Sequence, residues 1–188
     1  MLLFEKPGID NTEKALEVAL TAARDKGLDV VLATTGGGTV PVALALADKL
    51  GYIGKIVAVT HCFGSREKGK NILEPAKMQE FRDKGVTVVT AAHALSGAER
   101  GLSKKFSGVY PVELVANTLK MLGQGTKVCV EIAMMALDAG AIEYGRQIIA
   151  VGGTGRGADT VCRLTPEYTA DLMGTKIHEI LCKPSLEE

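Results

Sequence analysis

Two glycine-rich stretches, each directly after a short apolar run, constrain this chain more than any other feature. Thr34-Thr35-Gly36-Gly37-Gly38-Thr39 follows Asp29 to Ala33, and Gly152-Gly153-Thr154-Gly155-Arg156-Gly157 follows Gln147 to Val151. A buried strand that ends in a glycine turn and feeds a helix is the repeating unit of an open α/β sheet. In such sheets ligands bind outside the carboxyl ends of the strands, where the strand order reverses. If both runs lie in one parallel sheet, their turns share a single anion-binding crevice.

Hydrophobic periodicity orders the remaining elements. Asp10 stands three residues before Glu13, a capping-box spacing, and Ala15, Leu16, Ala19, Leu20 and Ala23 recur at helical intervals until Gly27. Asp29 to Thr34 reads as a strand, with Thr39 as the N-cap of a helix over 40–50 that tolerates Pro41 in its first turn. Lys55 to Thr60 repeats the strand, Glu74 to Lys84 the helix, and Val86 to Thr90 gives a third strand. Ala91 to Val109 is less regular and reads as a flap, in which Ser96 and Glu99 have the spacing to start a short helix. Tyr110-Pro111 is a helix start, and Val112, Val115, Leu119 and Leu122, then Val128, Ile132, Met135 and Ala139, mark two core-facing helices. Strands follow at Gln147 to Val151, Thr160 to Leu164 and Ile177 to Cys182, with connections too short for full crossovers, so at least one is antiparallel. The expected fold is a single α/β domain over residues 1–188, a three-layer α/β/α sandwich with a mostly parallel mixed sheet. A central strand at Asp29, flanked by those at Lys55 and Gln147, would put both glycine turns at the switch point.

Composition narrows the partners. Lys and Arg number 22 and so do Asp and Glu, which argues against nucleic acid or an anionic membrane surface. No apolar run reaches the ~18 residues of a membrane span, and Met1 to Pro7 lacks the pattern of a signal peptide, so a cytoplasmic location is expected. Cys62, Cys129, Cys162 and Cys182 are scattered without a CxxC pair and read as reduced, structural thiols.

The first loop has the chemistry of a phosphate site. Gly36, Gly37 and Gly38 let backbone amides approach an oxyanion, the next helix offers unpaired N–H groups, and Thr34, Thr35 and Thr39 add hydroxyls. The competing reading is a tight turn with a helix cap. In the second loop Arg156 either grips phosphate or pairs with Asp159 and braces the turn. Sharper motifs fail: Pro41 occupies the place of the third dinucleotide-fingerprint glycine, and Asn71 that of the Ser/Thr in the P-loop-like run from Gly64 to Lys70. That run reads as a mobile basic loop whose Arg66, Lys68 and Lys70 either reach an anion or are solvated. His61 and Cys62 sit just past the second strand, as strand terminators or as side chains able to contact a bound ring or exchange protons. His93 and His178 have no partner in the sequence, and Glu131 either faces the crevice or, from an otherwise apolar helix, the solvent.

The runs Val30 to Thr39, Lys55 to Thr60 and Phe106 to Pro111, with Ile148 to Gly152 and Ala158 to Leu164, resemble the C-terminal α/β domain of pyruvate kinase. The similarity follows the same order over most of the chain and suits stand-alone proteins built from that domain. It leaves no room for the barrel domain that carries catalysis in pyruvate kinase, so no such activity is expected. The resemblance implies a retained site for a phosphorylated small molecule or mononucleotide, formed by the loop from Thr34 to Thr39 and by Gly152, Gly153, Thr154 and Arg156. Through the similarity of the stand-alone proteins to flavin mononucleotide (FMN) binders, it also implies FMN, with the isoalloxazine near His61, Cys62, Phe63 and Tyr110. A flavin-dependent oxidoreductase and a non-catalytic sugar-phosphate sensor are the alternatives. Pairing of copies into a homo-oligomer is also expected, although no interface is marked.

Overall fold

Strand residues alternate between two faces, and that alternation sets the layers. The computed structural model describes residues 1–186. In it, strand β2 (Asp29–Ala33) sends Val30 and Leu32 to one side of a seven-stranded sheet and Val31 to the other. The first face is covered by α1 (Thr12–Lys26), α2 (Thr39–Leu50) and α3 (Pro75–Asp83), through Leu16, Leu20, Val40, Ala43, Met78 and Phe81. The second is covered by α5 (Pro111–Lys120) and α6 (Gln124–Asp138), whose Ala133, Met134 and Leu137 join Val31, Ala150, Cys162 and Leu164. Nearly all of α6 from Gly125 to Leu137 is buried, so it is an interior helix rather than a surface one with a single apolar stripe.

The strand order is β1 (Leu2–Phe4), β7 (Lys176–Pro184), β6 (Thr160–Thr165), β5 (Ile148–Gly152), β2, β3 (Ile56–Thr60) and β4 (Thr87–Thr90). As expected, β2 lies between β3 and β5, parallel to both, and β6 runs antiparallel to its two neighbours. Periodicity does not mark β1, which is three residues long and pairs only with β7, Leu2 opposite Cys182.

Several expected caps are built differently. Thr39 is the first helical residue of α2, Gly38 is the N-cap, and the Thr39 hydroxyl donates backwards to the Ala33 carbonyl at 3.0 Å. The Asp10–Glu13 box does not form, because a 3₁₀ turn over Ile9–Asn11 moves the helix start to Thr12 and Asn11 donates its amide to the Lys6 carbonyl at 2.7 Å. The segment read as a flap contains α4 (Gly97–Phe106), whose Ser96 makes no side-chain cap. Glu99 instead accepts the Glu113 N–H at 3.0 Å in the first turn of α5, while Ser103 donates to Glu113 Oε1 at 2.7 Å, tying the two helices together.

Cys129, Cys162 and Cys182 are buried free thiols and Cys62 is half-buried. Burial pushes Cys129 up and Cys182 to about 12, so these two resist ionisation. No helix among the described residues is long and apolar enough to cross a membrane.

Candidate functional site

At the carboxyl ends of β2, β3 and β5 the sheet opens into a cavity of about 940 Å³, within the ~300–1,000 Å³ usual for small-molecule sites. Its wall takes Thr34, Thr35, Gly36, Gly38 and Thr39 from the first loop and Gly153, Gly155, Arg156 and Gly157 from the second. His61 and Arg66 enter after β3, His93 after β4, Gln124 and Glu131 from α6, Asp10 from the 3₁₀ turn before α1, and Glu13 from the first turn of α1. Gly37, Cys62, Phe63, Tyr110, Gly152 and Thr154 lie outside this wall. Phe63 points to solvent, 61% exposed, and Tyr110 serves as the N-cap residue of α5.

The two glycine loops look alike in sequence and differ physically. In the first, a Cβ built at Gly36 or Gly38 would meet nothing within 4 Å, and Gly38 has ordinary helical angles (φ −75°, ψ −29°). Neither packing nor a left-handed backbone therefore requires glycine at these two positions. Among the described residues the amides of Thr35, Gly36, Gly37 and Gly38 find no protein acceptor, and Thr34 Oγ1 is buried without a partner. A buried hydroxyl left unmet, as at Thr34, is exceptional inside proteins and calls for a ligand or water, while the exposed Gly36 and Gly38 leave their amides open to solvent or to an anion. Gly37 alone is structural, with φ +80° and a Leu73 methyl that would lie 2.8 Å from an added Cβ.

The second loop is satisfied from within only in part: its Thr154 and Arg156 amides have protein acceptors, whereas those of Gly153, Gly155 and Gly157 have none among the described residues. Arg156 N–H donates to Thr154 O at 3.1 Å, Asp159 N–H to Gly152 O at 3.1 Å, and Ala158 N–H to Thr12 Oγ1 at 3.1 Å. Buried Asp159 accepts from the Gly8 and Thr154 amides, each at 3.0 Å, and from the Thr160 hydroxyl at 2.8 Å. Its carboxylate is thus engaged by three donors, and of the two readings of Arg156 the pairing with Asp159 is not made. Arg156 is exposed on the cavity rim instead. Gly157 is demanded by packing: its φ is +76°, and a Cβ there would strike Thr12 Oγ1 and Ile9 Cα. Gly157→Ala is accordingly expected to cost about 3 kcal/mol of stability by urea denaturation, whereas Gly36→Ala should change it by less than about 1 kcal/mol.

A polar chain enters the same cavity, of which the sequence offered His61 and Glu131 singly but neither Lys127 nor the links through His93. Lys127 Nζ contacts Glu131 Oε2 at 2.5 Å one helical turn away, and Glu131 Oε1 accepts the Leu95 N–H at 3.0 Å. His93 Nδ1 lies 3.5 Å from Glu131 Oε2, and His93 Nε2 meets His61 Nδ1 at 2.9 Å. Glu131 is only 3% exposed, which corrects the solvent-facing alternative, and His93 is far from partnerless. The available signal was Lys127 and Glu131 at i,i+4 on an apolar helix, together with histidines just past two strands. The cross-strand hydroxyl pair Thr60–Thr90, at 2.7 Å, brings those strand ends together. His178, by contrast, is exposed and bonded to the Thr165 hydroxyl at 2.8 Å.

Burial raises the Glu131 carboxyl, but the hydrogen bond to His93 and the Lys127 charge outweigh it and hold the group at about 2, below its ordinary 4.5. A folded-state value below the unfolded one contributes stability that is complete above pH 4.5 and is lost as pH falls towards 2. Acid titration followed by circular dichroism should therefore show a steep loss in this window, of order 3 kcal/mol, absent from Glu131→Gln.

The Gly64 to Lys70 run forms a closed loop, with Gly64 N–H donating to Lys70 O at 2.9 Å and Lys70 paired with Glu67 at 2.7 Å. Of its three basic residues, Arg66 lines the cavity.

The family model described as pyruvate kinase, alpha/beta domain, matches residues 13–162. The chain belongs to that family. Within this pyruvate kinase alpha/beta domain the matched span holds both glycine loops and the whole polar chain from Lys127 to His61, while β1 and β7 lie outside it.

Proposed function

We propose that this pyruvate kinase alpha/beta domain binds a phosphorylated small molecule, with the phosphate seated on the Thr34 to Thr39 loop, and that FMN is its candidate cofactor. The reading rests on one observation: the loop amides and the buried Thr34 hydroxyl lack protein partners, and the side-chain space at Gly36 and Gly38 is open. Three further features favour an anion. The loop runs into the N-terminus of the twelve-residue helix α2, Lys77 Nζ lies 3.5 Å from the Gly36 carbonyl, and Arg66 and Arg156 stand on the cavity wall. The donors suit the phosphate of FMN. The flavin ring has a weaker fit, because Phe63 and Tyr110 are not in the wall, and among the described residues its rings are those of His61 and His93. Bound FMN would supply electron-transfer chemistry; the residues of this chain would bind its phosphate and contact its ribityl hydroxyls.

A sugar-phosphate sensor is the second reading, favoured by the exposed carboxylates of Asp10 and Glu13 on the same wall, which can accept hydroxyl donors. Equilibrium dialysis against FMN, a hexose phosphate and inorganic phosphate separates these readings. Retention of FMN after desalting supports the cofactor assignment, and selective uptake of the hexose phosphate supports the sensor. Failure to bind any of the three at millimolar concentration overturns the proposal.

A further inference from the structure

The cavity holds a proton-transfer apparatus as well as a phosphate seat. We infer that the cleft is a catalytic centre in which His61 Nε2 abstracts a proton from the carbon beside the carbonyl of a sugar phosphate. This inference rests on the phosphate-binding reading above.

The buried end of the polar chain sets the tautomers. Ionised Glu131 lies between Lys127 and His93 Nδ1, so His93 carries its proton on Nδ1 and presents the Nε2 lone pair to His61. His61 Nδ1–H donates to that lone pair at 2.9 Å, which leaves His61 Nε2 unprotonated. His61 lines the cavity, and its Nε2 has no partner among the described residues. An acid that orients one imidazole, which orients a second, extends the logic of base–orienter pairs in known active sites. Positive charge gained at His61 can pass along the chain towards the Glu131 carboxylate. Burial and then His93 push His61 below its ordinary value, consistent with a neutral base at pH 7; the other charges around it are Glu131, Arg66 and Lys127.

The phosphate seat lies one strand away. Ala33 on β2 is in register with Val59 on β3 and the Thr34 N–H donates to the Val59 carbonyl at 2.9 Å, so the first loop and His61 leave the sheet from adjacent strand ends and line the same cavity. A molecule of three to six carbons can therefore hold its phosphate at Gly36 and Gly38 while a carbon near its carbonyl reaches His61.

The step balances without a co-reactant. His61 Nε2 takes the proton, the C–H electron pair becomes the carbon–carbon double bond of an enediol(ate), and the carbonyl π pair moves onto oxygen, where Arg66 can offset the charge. The hydroxyl proton passes to the former carbonyl oxygen, the enediol collapses to the isomeric carbonyl, and His61 returns its proton to the neighbouring carbon. His61 is the catalytic residue; His93 and Glu131 are positioning residues.

The test uses the full chain in D₂O with dihydroxyacetone phosphate, ribulose 5-phosphate and fructose 6-phosphate as probes, read by proton NMR. We expect deuterium to enter the carbon beside the carbonyl of at least one probe. His61→Gln should slow that exchange by at least about 100-fold while leaving the probe-induced shifts of the Gly36 and Gly38 amides intact. His93→Phe should slow exchange and displace its pH midpoint, which a merely structural role would not do. Shifts of those amides with exchange of none of the three probes, or exchange indifferent to His61→Gln, overturns the inference and leaves the phosphate site standing. If FMN binds and no sugar phosphate does, the binding reading survives and the catalytic one fails. If neither FMN nor any sugar phosphate binds, both fail.

Discussion

Gly36→Asp should lower affinity for phosphorylated ligands by at least about 100-fold without unfolding the protein. The new side chain starts in open space, since a Cβ at Gly36 meets nothing within 4 Å. Its carboxylate would then stand about 5 Å from a bound phosphate, where each pair of unit charges repels by about 3 kcal/mol at an effective dielectric of 20. It would also capture the loop amides that now find no protein acceptor. Gly38→Asp should behave similarly. Gly37 is the wrong probe, because its φ of +80° and the nearby Leu73 side chain would damage the loop itself. Isothermal titration of Gly36→Asp against the wild type checks the effect, with circular dichroism as the folding control. Unchanged affinity would remove the loop from the binding account.

The second large effect is on stability. Glu131→Ala strips the partner from Lys127, which is only 8% exposed, and leaves the Leu95 N–H without its 3.0 Å acceptor. Breaking a buried pair from one side costs about 3–5 kcal/mol, because the stranded charge remains desolvated. For a chain of this length that corresponds to a fall in Tm of about 10–15 °C. Replacing both members, Lys127→Met with Glu131→Leu, should recover much of the loss, since it removes the stranded charge as well as its partner. A single-variant cost below about 1 kcal/mol would show that the pair is solvated in solution.

The architecture was legible because it follows from spacing. The strands at Asp29, Lys55 and Gln147, the glycine turns and the two helices before Gly123 and Gly140 all appear, and β2 does lie between β3 and β5. Caps were less legible, because Asp10 and Ser96 had the right spacing while the backbone took other routes, a 3₁₀ turn in one case and a helix-to-helix tie in the other. The site was legible in half. Sequence located the crevice but could not distinguish a glycine that leaves room from one that avoids a clash, a difference set by neighbours such as Thr12 against Gly157. His61, His93 and Glu131 are separated by 32 and 38 positions and meet only because β3, β4 and α6 converge at one sheet edge.

The proposal that a phosphate sits on the first glycine loop, and not on the second, is the one from which the rest follows. The decisive measurement is a ¹⁵N–¹H correlation titration with FMN, and separately with inorganic phosphate. Saturable shifts are expected at Thr35, Gly36, Gly38 and Thr39, with amides such as Ala158 and Asp159, already bonded to protein acceptors, moving little. Shifts confined to Gly153 through Gly157, with Gly36 and Gly38 unmoved, would contradict it.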